Sequence, residues 1–246
     1  MFELVLMFFV GVVAGLCGTL VGGGALLPIP ILILLGLPAH VAIGTTRLGI
    51  IGLSFAGWWK FHKKKLVDYK LAWLIAVPSI VGAIAGAFLV FEFSAQAVEY
   101  VVAGMTIFIL VLIIFNRDLG VKKRAPMKSS WRNVIGVVSA GIIGVYSGFM
   151  GGGVATFYAY LLVLVYGQTF IETAGTRKPS AAISAVIVTG IFAWKGVINY
   201  SLGLAMLPGM AIGSYIGAKY SDKLGNVWIK RLFVVVVLVM VVKMLA

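Results

Sequence analysis

Three cationic side chains lie inside stretches of this sequence that are otherwise free of charge: Arg47 within residues 44–51, and Arg177 and Lys178 within residues 173–185. Where such a stretch crosses a membrane, a cation costs about 2.5–3.5 kcal/mol on insertion scales, so it usually faces a partner or a water-filled cavity. The planar donor fork of arginine matches the oxygens of a small oxyanion. The pattern predicts that Arg47 approaches a bound anion from one side and Arg177 or Lys178 from the other. The alternative is that these bases end helices near the membrane surface and extend outward to water.

Hydroxyl side chains surround these cations: Thr45, Thr46, Thr176 and Ser180. A hydroxyl at such a position can donate to an oxygen of a bound anion. It can equally bond to its own helix one turn back. Both interpretations are open at this point.

Glycine triplets form the second candidate element of the site: Gly22, Gly23 and Gly24, and again Gly151, Gly152 and Gly153. A break between two half-helices leaves backbone N–H groups free, and the positive end of a helix favours an anion. Glycine also lets a ligand approach the backbone without a β-carbon in the way. The alternative is close helix packing, for which small residues are enriched in membranes.

Acidic residues are scarce, with only seven in the chain. Glu172 is the one carboxylate that the sequence places near the cations, so it is a candidate for coupling transport to a proton or sodium ion. An interfacial salt bridge to Arg177 or Lys178 is the alternative. Without an embedded carboxylate, the interior-negative membrane potential alone would drive an anion outward at about 2.3 kcal/mol per charge per 100 mV.

The composition identifies the class of protein that these residues belong to. Of the 246 residues, 62% are hydrophobic and 11% are charged, and the mean hydropathy is +1.12. Because a soluble domain of this size carries roughly twice that fraction of charge, an all-α integral membrane protein with membrane lipid as its surroundings is predicted.

The remaining composition excludes several function classes. The net charge of +13 sits in short loops between apolar runs, as in membrane proteins, and no nucleic-acid-binding motif accompanies it. A single cysteine and two histidines predict no disulfide and no metal site. The sequence has no P-loop, and no cofactor is expected.

A pattern of residues occurs twice along the chain. Glycines in the first half recur 129 positions later in the second half, from Gly15 to Gly144 and from the first triplet to the second. Further downstream the spacing is 131 positions, as in Asp68 and Asn199 or Gly82 and Gly213. Such a duplication in a very apolar chain is typical of a transporter built from two homologous halves. The glycine pairs Gly82/Gly86 and Gly213/Gly217 have small-xxx-small spacing, which predicts helix packing.

Apolar segments recur in the same order in each half. In the first half they cover 2–21, 25–36, 41–59, 70–91 and 97–115. In the second half they cover 133–149, 154–166, 174–194, 200–218 and 229–245. The second segment of each half is too short for an ordinary span, which is typical of a re-entrant or broken helix. We therefore predict roughly eight to ten membrane segments in two repeats, residues 1–115 and 133–246, joined by a linker at 116–132.

Loop charges predict the orientation of the two repeats. Residues 60–70 and 117–132 are rich in lysine and arginine and should face the cytoplasm, whereas residues 92–99 carry two glutamates and no base. In the second half the bases lie instead in residues 219–231. The second repeat is therefore expected to be inverted relative to the first. The first two segments of each repeat then return to the side from which they start, and both termini face away from the cytoplasm.

The ordered set of motifs resembles the TauE/SafE family of sulfite exporters. The residues that carry the resemblance are Gly22-Gly23-Gly24, Pro28, Gly44-Thr45-Thr46, Val67-Asp68-Tyr69 and Gly82/Gly86, with a second copy of the set in the other half. The resemblance implies a prokaryotic inner-membrane permease for small sulfur-containing anions such as sulfite, sulfoacetate or other organosulfonates.

The sequence therefore favours a secondary transporter, working as an exporter by alternating access, whose partner is a small anion. A non-transporting membrane scaffold or assembly protein is the alternative, although a scaffold has no need of duplicated broken helices. An intramembrane enzyme is disfavoured because no histidine pair, aspartate dyad or serine–histidine combination lies within the apolar segments.

Overall fold

The computed structural model describes residues 1–20, 24–115, 123, 125–128 and 130–221, and these residues form helices without any strand. The helices are α1 (Phe2–Leu20), α2 (Pro28–Leu34), α3 (Ala39–Lys63), α4 (Tyr69–Leu89), α5 (Ala95–Phe115), α6 (Arg132–Phe149), α7 (Val154–Tyr166), α8 (Phe170–Thr176), α9 (Lys178–Trp194) and α10 (Tyr200–Lys219), with a short 3-10 turn at Val90–Glu92. The predicted all-α class is confirmed. Gly22, Gly23 and the predicted segment 229–245 lie outside the described residues.

Five of the described helices, α1, α3, α4, α6 and α10, are long and apolar enough to cross a membrane. The predicted short second segments are α2, with 7 residues, and α7, with 13. Helix α7 is followed by α8 at a bend of 113°, so the two together would make one broken or re-entrant span. The described part of the chain therefore contains five or six candidate spans.

The structure differs from the predicted segment 174–194. The helix begins earlier, at Phe170, because Thr169 and Glu172 form a capping box at its start. It is then interrupted at Arg177, between α8 and α9. The cause is Pro179, which has no N–H and whose ring disfavours a helical neighbour on its N-terminal side. The corresponding position in α3 is Leu48, and α3 runs without a break.

The two halves pack against each other through their first helices. Helix α1 packs against α10, and α6 packs against α4, so the first helix of each half lies on a helix of the other. A β-carbon added at Gly82 would meet the carbonyl oxygen of Gly141, and one added at Gly213 would meet that of Val12. These two contacts are related by the sequence repeat. The predicted packing role of the glycine pairs is confirmed, because a larger residue would separate the helices.

Corresponding helices enter the bundle from opposite ends. Helices α3 and α9 run antiparallel, since Gly57 of α3 lies against Lys178, whereas Gly44 lies against Phe192. We name the ends by the N-caps of α4 and α10, Asp68 and Asn199, whose side chains accept hydrogen bonds from Leu71 N and Leu202 N. The Asp68 end holds the loop 64–68 and the starts of α6 and α8, and the Asn199 end holds the start of α3 and the turn at 90–92.

In each half, the short second helix leads the chain back to the end of the bundle where the first helix of that half begins. At the Asp68 end, Met127 N donates to Val165 O at 3.1 Å, so α7 finishes beside the chain that leads into α6. At the other end, α1 lies alongside α10 and in the same direction, and α2 leads into α3 near Asn199. The inversion of the second repeat relative to the first stays a prediction. The assignment of the Asp68 end to the cytoplasm stays a prediction.

Candidate functional site

A cavity of about 60 Å3 lies between α3 and α9, beside the ends of α1 and α6. Residues from both halves line it in corresponding pairs: Gly18 and Ser147, Ala25 and Val154, Ile50 and Ala181, Leu53 and Ser184, and Ser54 and Ala185. The members of each pair are 129 or 131 positions apart. The cavity therefore lies where the two repeats meet, and both contribute equivalent positions to its wall.

Arg47 reaches this cavity from α3. Its side chain is 3% exposed, and its Nη2 donates to the carbonyl oxygen of Gly148 at 2.7 Å. That carbonyl belongs to the last turn of α6, where the helix dipole is negative and favours a cation. The Arg47 Nε has no hydrogen-bond partner among the described residues, and Cζ lies 5.6 Å from the centre of the Phe192 ring. One donor of the Arg47 guanidinium is therefore bonded to the protein, while another is buried without a partner among the described residues.

Arg177 reaches the same cavity from the junction of α8 and α9. Its Nη2 donates to the carbonyl oxygens of Gly18 at 3.0 Å and Thr19 at 3.3 Å, both in the last turn of α1. Each arginine thus holds the C-terminal end of the first helix of the other half. Because the Arg177 junction lies level with residues 53–57 of α3, Arg47 is roughly 9 Å or more away along that helix. The two cations therefore approach the cavity from different ends.

Lys178 occupies the position that corresponds to Arg47 but plays a different structural role. Its side chain is completely buried, and Nζ donates to Thr19 Oγ1 at 3.2 Å, Leu53 O at 3.2 Å and Ser214 Oγ at 3.4 Å. It is not part of the cavity wall. All three donors of the ammonium group are used to join α9 to α1, α3 and α10, and Arg177 is the cation that reaches the cavity.

The three buried cations have no buried carboxylate among the described residues. The described acids, Glu3, Asp68, Glu92, Glu99 and Glu172, are all partly or largely exposed. The oxygens that face the cations are carbonyls and hydroxyls, which carry only partial charge. Within the described part of the chain no carboxylate compensates these charges, and a bound anion would do so.

The hydroxyls predicted from the sequence are mostly engaged elsewhere. Thr45 Oγ1 accepts from Asn199 N at 2.9 Å, and Thr176 Oγ1 accepts from Asp68 N at 3.2 Å. Thr46 Oγ1 donates to Ala42 O at 2.8 Å, one turn back in its own helix. Ser180 is buried next to the Tyr158 hydroxyl and, like the three threonines, is not in the cavity wall.

Two hydroxyls that sequence reasoning missed do line the cavity. Ser54 and Ser184 are 0% and 5% exposed, and neither Oγ has a hydrogen-bond partner among the described residues. Each follows a cavity arginine by seven positions, Ser54 after Arg47 and Ser184 after Arg177. Since seven residues are two helical turns, the spacing puts the serine on the same face as the arginine. That repeated Arg-x6-Ser spacing was the signal in the sequence.

The described glycines of the two triplets lie at or beside the cavity. Gly24 and Gly151 are in its wall, and the Arg47 guanidinium lies directly against the Cα of Gly151, where a β-carbon would meet Nη1. Gly153 has φ +75° and caps α7, a conformation that glycine adopts without strain. The Gly152 carbonyl accepts a hydrogen bond from Tyr146.

Glu172 is not brought to the cavity. Its carboxylate accepts from Thr169 N at 2.8 Å in the capping box of α8 and forms a salt bridge with the exposed Lys123 at 3.1 Å. The predicted alternative role, an interfacial ion pair, is found with Lys123 of the linker instead of Arg177 or Lys178. Within the described residues no group of three or more His, Cys, Asp or Glu side chains could hold a metal ion.

Known membrane transporter proteins are similar to this chain over most of its length. The sequence model of the family described as "Sulfite exporter TauE/SafE" matches residues 7–244. A protein of Haemophilus influenzae named "Probable membrane transporter protein" is 26% identical, over 98% of this chain and 94% of its own length. YfcA of Escherichia coli K12 and YdhB of Bacillus subtilis, which carry the same description, are 27% and 28% identical, covering 97% and 94% of this chain and 88% and 94% of their own. No solved structure matches the chain significantly.

Proposed function

The chain belongs to the sulfite exporter TauE/SafE family, and on that premise we propose that it is a secondary transporter that exports a small sulfur-containing oxyanion. The membrane is the prokaryotic inner membrane, with both termini outside the cytoplasm. Sulfite is the first candidate substrate, and sulfoacetate and other organosulfonates are the wider class. The observation that supports the proposal most directly is the pair of buried arginines, Arg47 and Arg177, at a cavity with no buried carboxylate among the described residues.

The donors at the cavity have the chemistry of an oxyanion site. Arg47 Nε and the hydroxyls of Ser54 and Ser184 are unpaired, so a bound anion would satisfy groups that otherwise cost free energy in the interior. The cavity volume of about 60 Å3 holds roughly four water-sized groups. A compact anion such as sulfite fits that volume without rearrangement, whereas an organosulfonate with a carbon chain requires the cavity to enlarge.

The broken helices supply the moving parts. Arg47 and Arg177 hold the last carbonyls of α6 and α1, so an anion that draws either guanidinium toward itself loosens that helix end. We infer that the two repeats alternate in this way, opening the cavity first to one end of the bundle and then to the other. The residues that we assign to the site are therefore Arg47, Arg177, Ser54, Ser184 and the adjoining glycine segments, with Thr45, Thr46, Thr176, Lys178 and Ser180 supporting them from outside the cavity.

The charge balance favours outward transport. With Glu172 in an exposed ion pair, no described carboxylate is placed to couple transport to a cation at the cavity. The membrane potential then contributes about 2.3 kcal/mol per charge per 100 mV toward export of an anion.

Flux in proteoliposomes tests the proposal. Purified protein is reconstituted, sulfite is loaded inside, and its efflux is followed at zero and at interior-negative potential. We expect the potential to accelerate efflux, internal sulfate or sulfoacetate to compete with it, and Arg47→Ala to abolish it. Lys195→Ala, which changes an exposed side chain, should behave as wild type. Efflux no faster than from protein-free liposomes, for every sulfur anion tried, would contradict the proposal.

A further inference from the structure

A second cavity, of about 430 Å3, lies at the Asp68 end of the bundle, between the starts of α4 and α6. Its wall contains Asp68, Lys70, Arg132 and Gln168, together with the apolar side chains of Leu71 and Leu74. It shares no residue with the central cavity. Met127 N donates to Val165 O at 3.1 Å, which fixes the neighbouring Pro126 as a further part of the wall. This second cavity has a polar rim and an apolar floor.

Two side chains at this cavity provide hydrogen-bond acceptors, so a ligand that binds there should carry a donor. Gln168 is 7% exposed, and although its Nε2 donates to Thr176 Oγ1 at 3.1 Å, its Oε1 has no partner among the described residues. Asp68 adds a carboxylate, of which Oδ1 accepts from Leu71 N at 3.0 Å. A buried amide oxygen without a partner costs free energy, which an ammonium group would recover once the Gln168 side chain turns toward it. A carboxylate beside it adds the matching charge.

Donors lie on the other side of the same cavity. Lys70 and Arg132 stand in the first turns of α4 and α6, where the positive end of the helix dipole also favours negative charge. The Arg132 guanidinium carbon lies 5.8 Å from the centre of the Tyr166 ring, which holds the side chain at the cavity. This side therefore suits a phosphate group. A purely anionic ligand would not use Gln168 and would be repelled by Asp68.

The apolar floor indicates that the ligand is a lipid. Leu74 lies about 9 Å along α4 from Asp68, toward the middle of the bundle. Going inward, the cavity changes from charged to apolar over the same distance as a phospholipid changes from headgroup to acyl chains. A soluble zwitterion would have nothing to place against Leu71 and Leu74.

We propose that this cavity binds the headgroup of phosphatidylethanolamine, with its phosphate at Arg132 and Lys70 and its ammonium at Asp68 and Gln168. The bound lipid joins α4 of the first half to α6 of the second and so stabilises the contact between the repeats at this end. Since none of these residues lines the central cavity, this proposal and that of anion transport can fail separately.

Native mass spectrometry of the purified, delipidated protein tests the proposal. Dioleoyl phosphatidylethanolamine, phosphatidylglycerol and phosphatidylcholine are added in turn, and the lipid-bound fraction is measured. We expect phosphatidylethanolamine to bind more tightly than the other two, and soluble phosphoethanolamine at the same concentration not to displace it. Equal binding of all three lipids would overturn the proposal, and displacement by soluble phosphoethanolamine would show that the occupant is a free zwitterion.

Two variants test which side chain contacts the ammonium of the headgroup and which contacts its phosphate. Asp68→Asn keeps the cap of α4, because Asn199 caps α10 in the same way, but removes the charge that faces the ammonium. The preference for phosphatidylethanolamine over phosphatidylglycerol should then fall about two- to fivefold. Arg132→Gln should weaken both phospholipids at least about tenfold. Lys195→Gln, at the Asn199 end, is the matched control and should change neither. Unaltered lipid preference in Asp68→Asn together with unaltered affinity in Arg132→Gln would place the lipid elsewhere.

Discussion

Thr45 and Thr176 make the same hydrogen bond at opposite ends of the molecule. Thr45 Oγ1 accepts from Asn199 N at 2.9 Å, and Thr176 Oγ1 accepts from Asp68 N at 3.2 Å. In each case the donor is the N-cap residue that starts a helix of the other half. The two threonines, buried and 131 positions apart, therefore join the repeats to each other.

Loss of either threonine hydroxyl should lower stability without changing anion affinity. We expect Thr45→Val and Thr176→Val each to reduce the free energy of unfolding by about 1–3 kcal/mol, because a backbone N–H is left without its acceptor. The measurement is thermal unfolding in detergent, with and without sulfite. Thr→Ser at the same positions keeps the acceptor and is the control. A valine variant with normal stability and weakened sulfite binding would instead make the hydroxyl a ligand of the anion.

Arg47 should be irreplaceable by lysine. Arg47→Lys keeps the charge, but all its donors lie on one nitrogen and cannot reproduce the separate positions of Nη2, at Gly148 O, and of Nε. Loss of one charge-assisted hydrogen bond weakens sulfite binding roughly tenfold to a hundredfold. Sulfite-dependent thermal stabilisation gives the affinity. Lys60→Arg, in the last turn of α3 and outside the cavity wall, is the control for exchanging lysine and arginine. Wild-type affinity in Arg47→Lys would leave the arginine with a structural role alone.

Replacing Ser54 or Ser184 should weaken anion binding without lowering stability, the opposite of what we expect for the threonines. Their hydroxyls are buried without partners among the described residues, so Ser54→Ala and Ser184→Ala remove an unsatisfied group and leave the anion-free protein as stable or about 1 kcal/mol more stable. The same changes remove donors to the anion and should weaken its binding severalfold. Parallel unfolding and flux measurements separate the two effects. Reduced stability with unchanged flux would mean that these hydroxyls have protein partners.

The two adjacent cations of the second half should differ in function. Arg177→Met removes the cation at the cavity and should abolish sulfite transport. Lys178→Met should retain measurable transport, because Thr19 Oγ1 and Ser214 Oγ already share a hydrogen bond of 2.6 Å and Ser214 also donates to Leu53 O. Initial rates of sulfite efflux from proteoliposomes compare the pair. Equal loss in both variants would contradict the assignment of Arg177 as the cavity cation.

Glycine packing between the halves can be tested against a matched glycine in open space. A β-carbon at Gly86 would meet the carbonyl oxygen of Val145, whereas one at Gly104 of α5 would meet nothing within 4 Å. Gly86→Ala should therefore destabilise the protein by more than about 2 kcal/mol, since α4 and α6 must separate. Gly104→Ala should be neutral or stabilising by up to about 1 kcal/mol. Melting temperatures of both variants in detergent give the comparison, and similar values for the two would show that α4 and α6 are not in close contact.

Much of the architecture was determined by the sequence alone. Inside a membrane every backbone polar group must be bonded within its own segment, so long apolar runs become helices and their ends can be read from the sequence. For that reason α1, α4 and α10 begin and end close to where they were predicted, and the short α2 and α7 were recognised as incomplete spans. The duplicated glycines and the N-caps Asp68 and Asn199 are local signals of the same kind.

Tertiary structure decided which side chains face the cavity. The repeat aligns Arg47 with Lys178, yet Pro179 interrupts the helix at Arg177 and that arginine reaches the cavity instead. Thr45 and Thr176 bond to the other half of the molecule and Thr46 bonds to its own helix, whereas Ser54 and Ser184 line the cavity. The physical reason is that the direction in which a side chain points depends on how the antiparallel α3 and α9 are rotated against each other. That rotation is set by contacts between positions more than a hundred residues apart, which no local pattern contains.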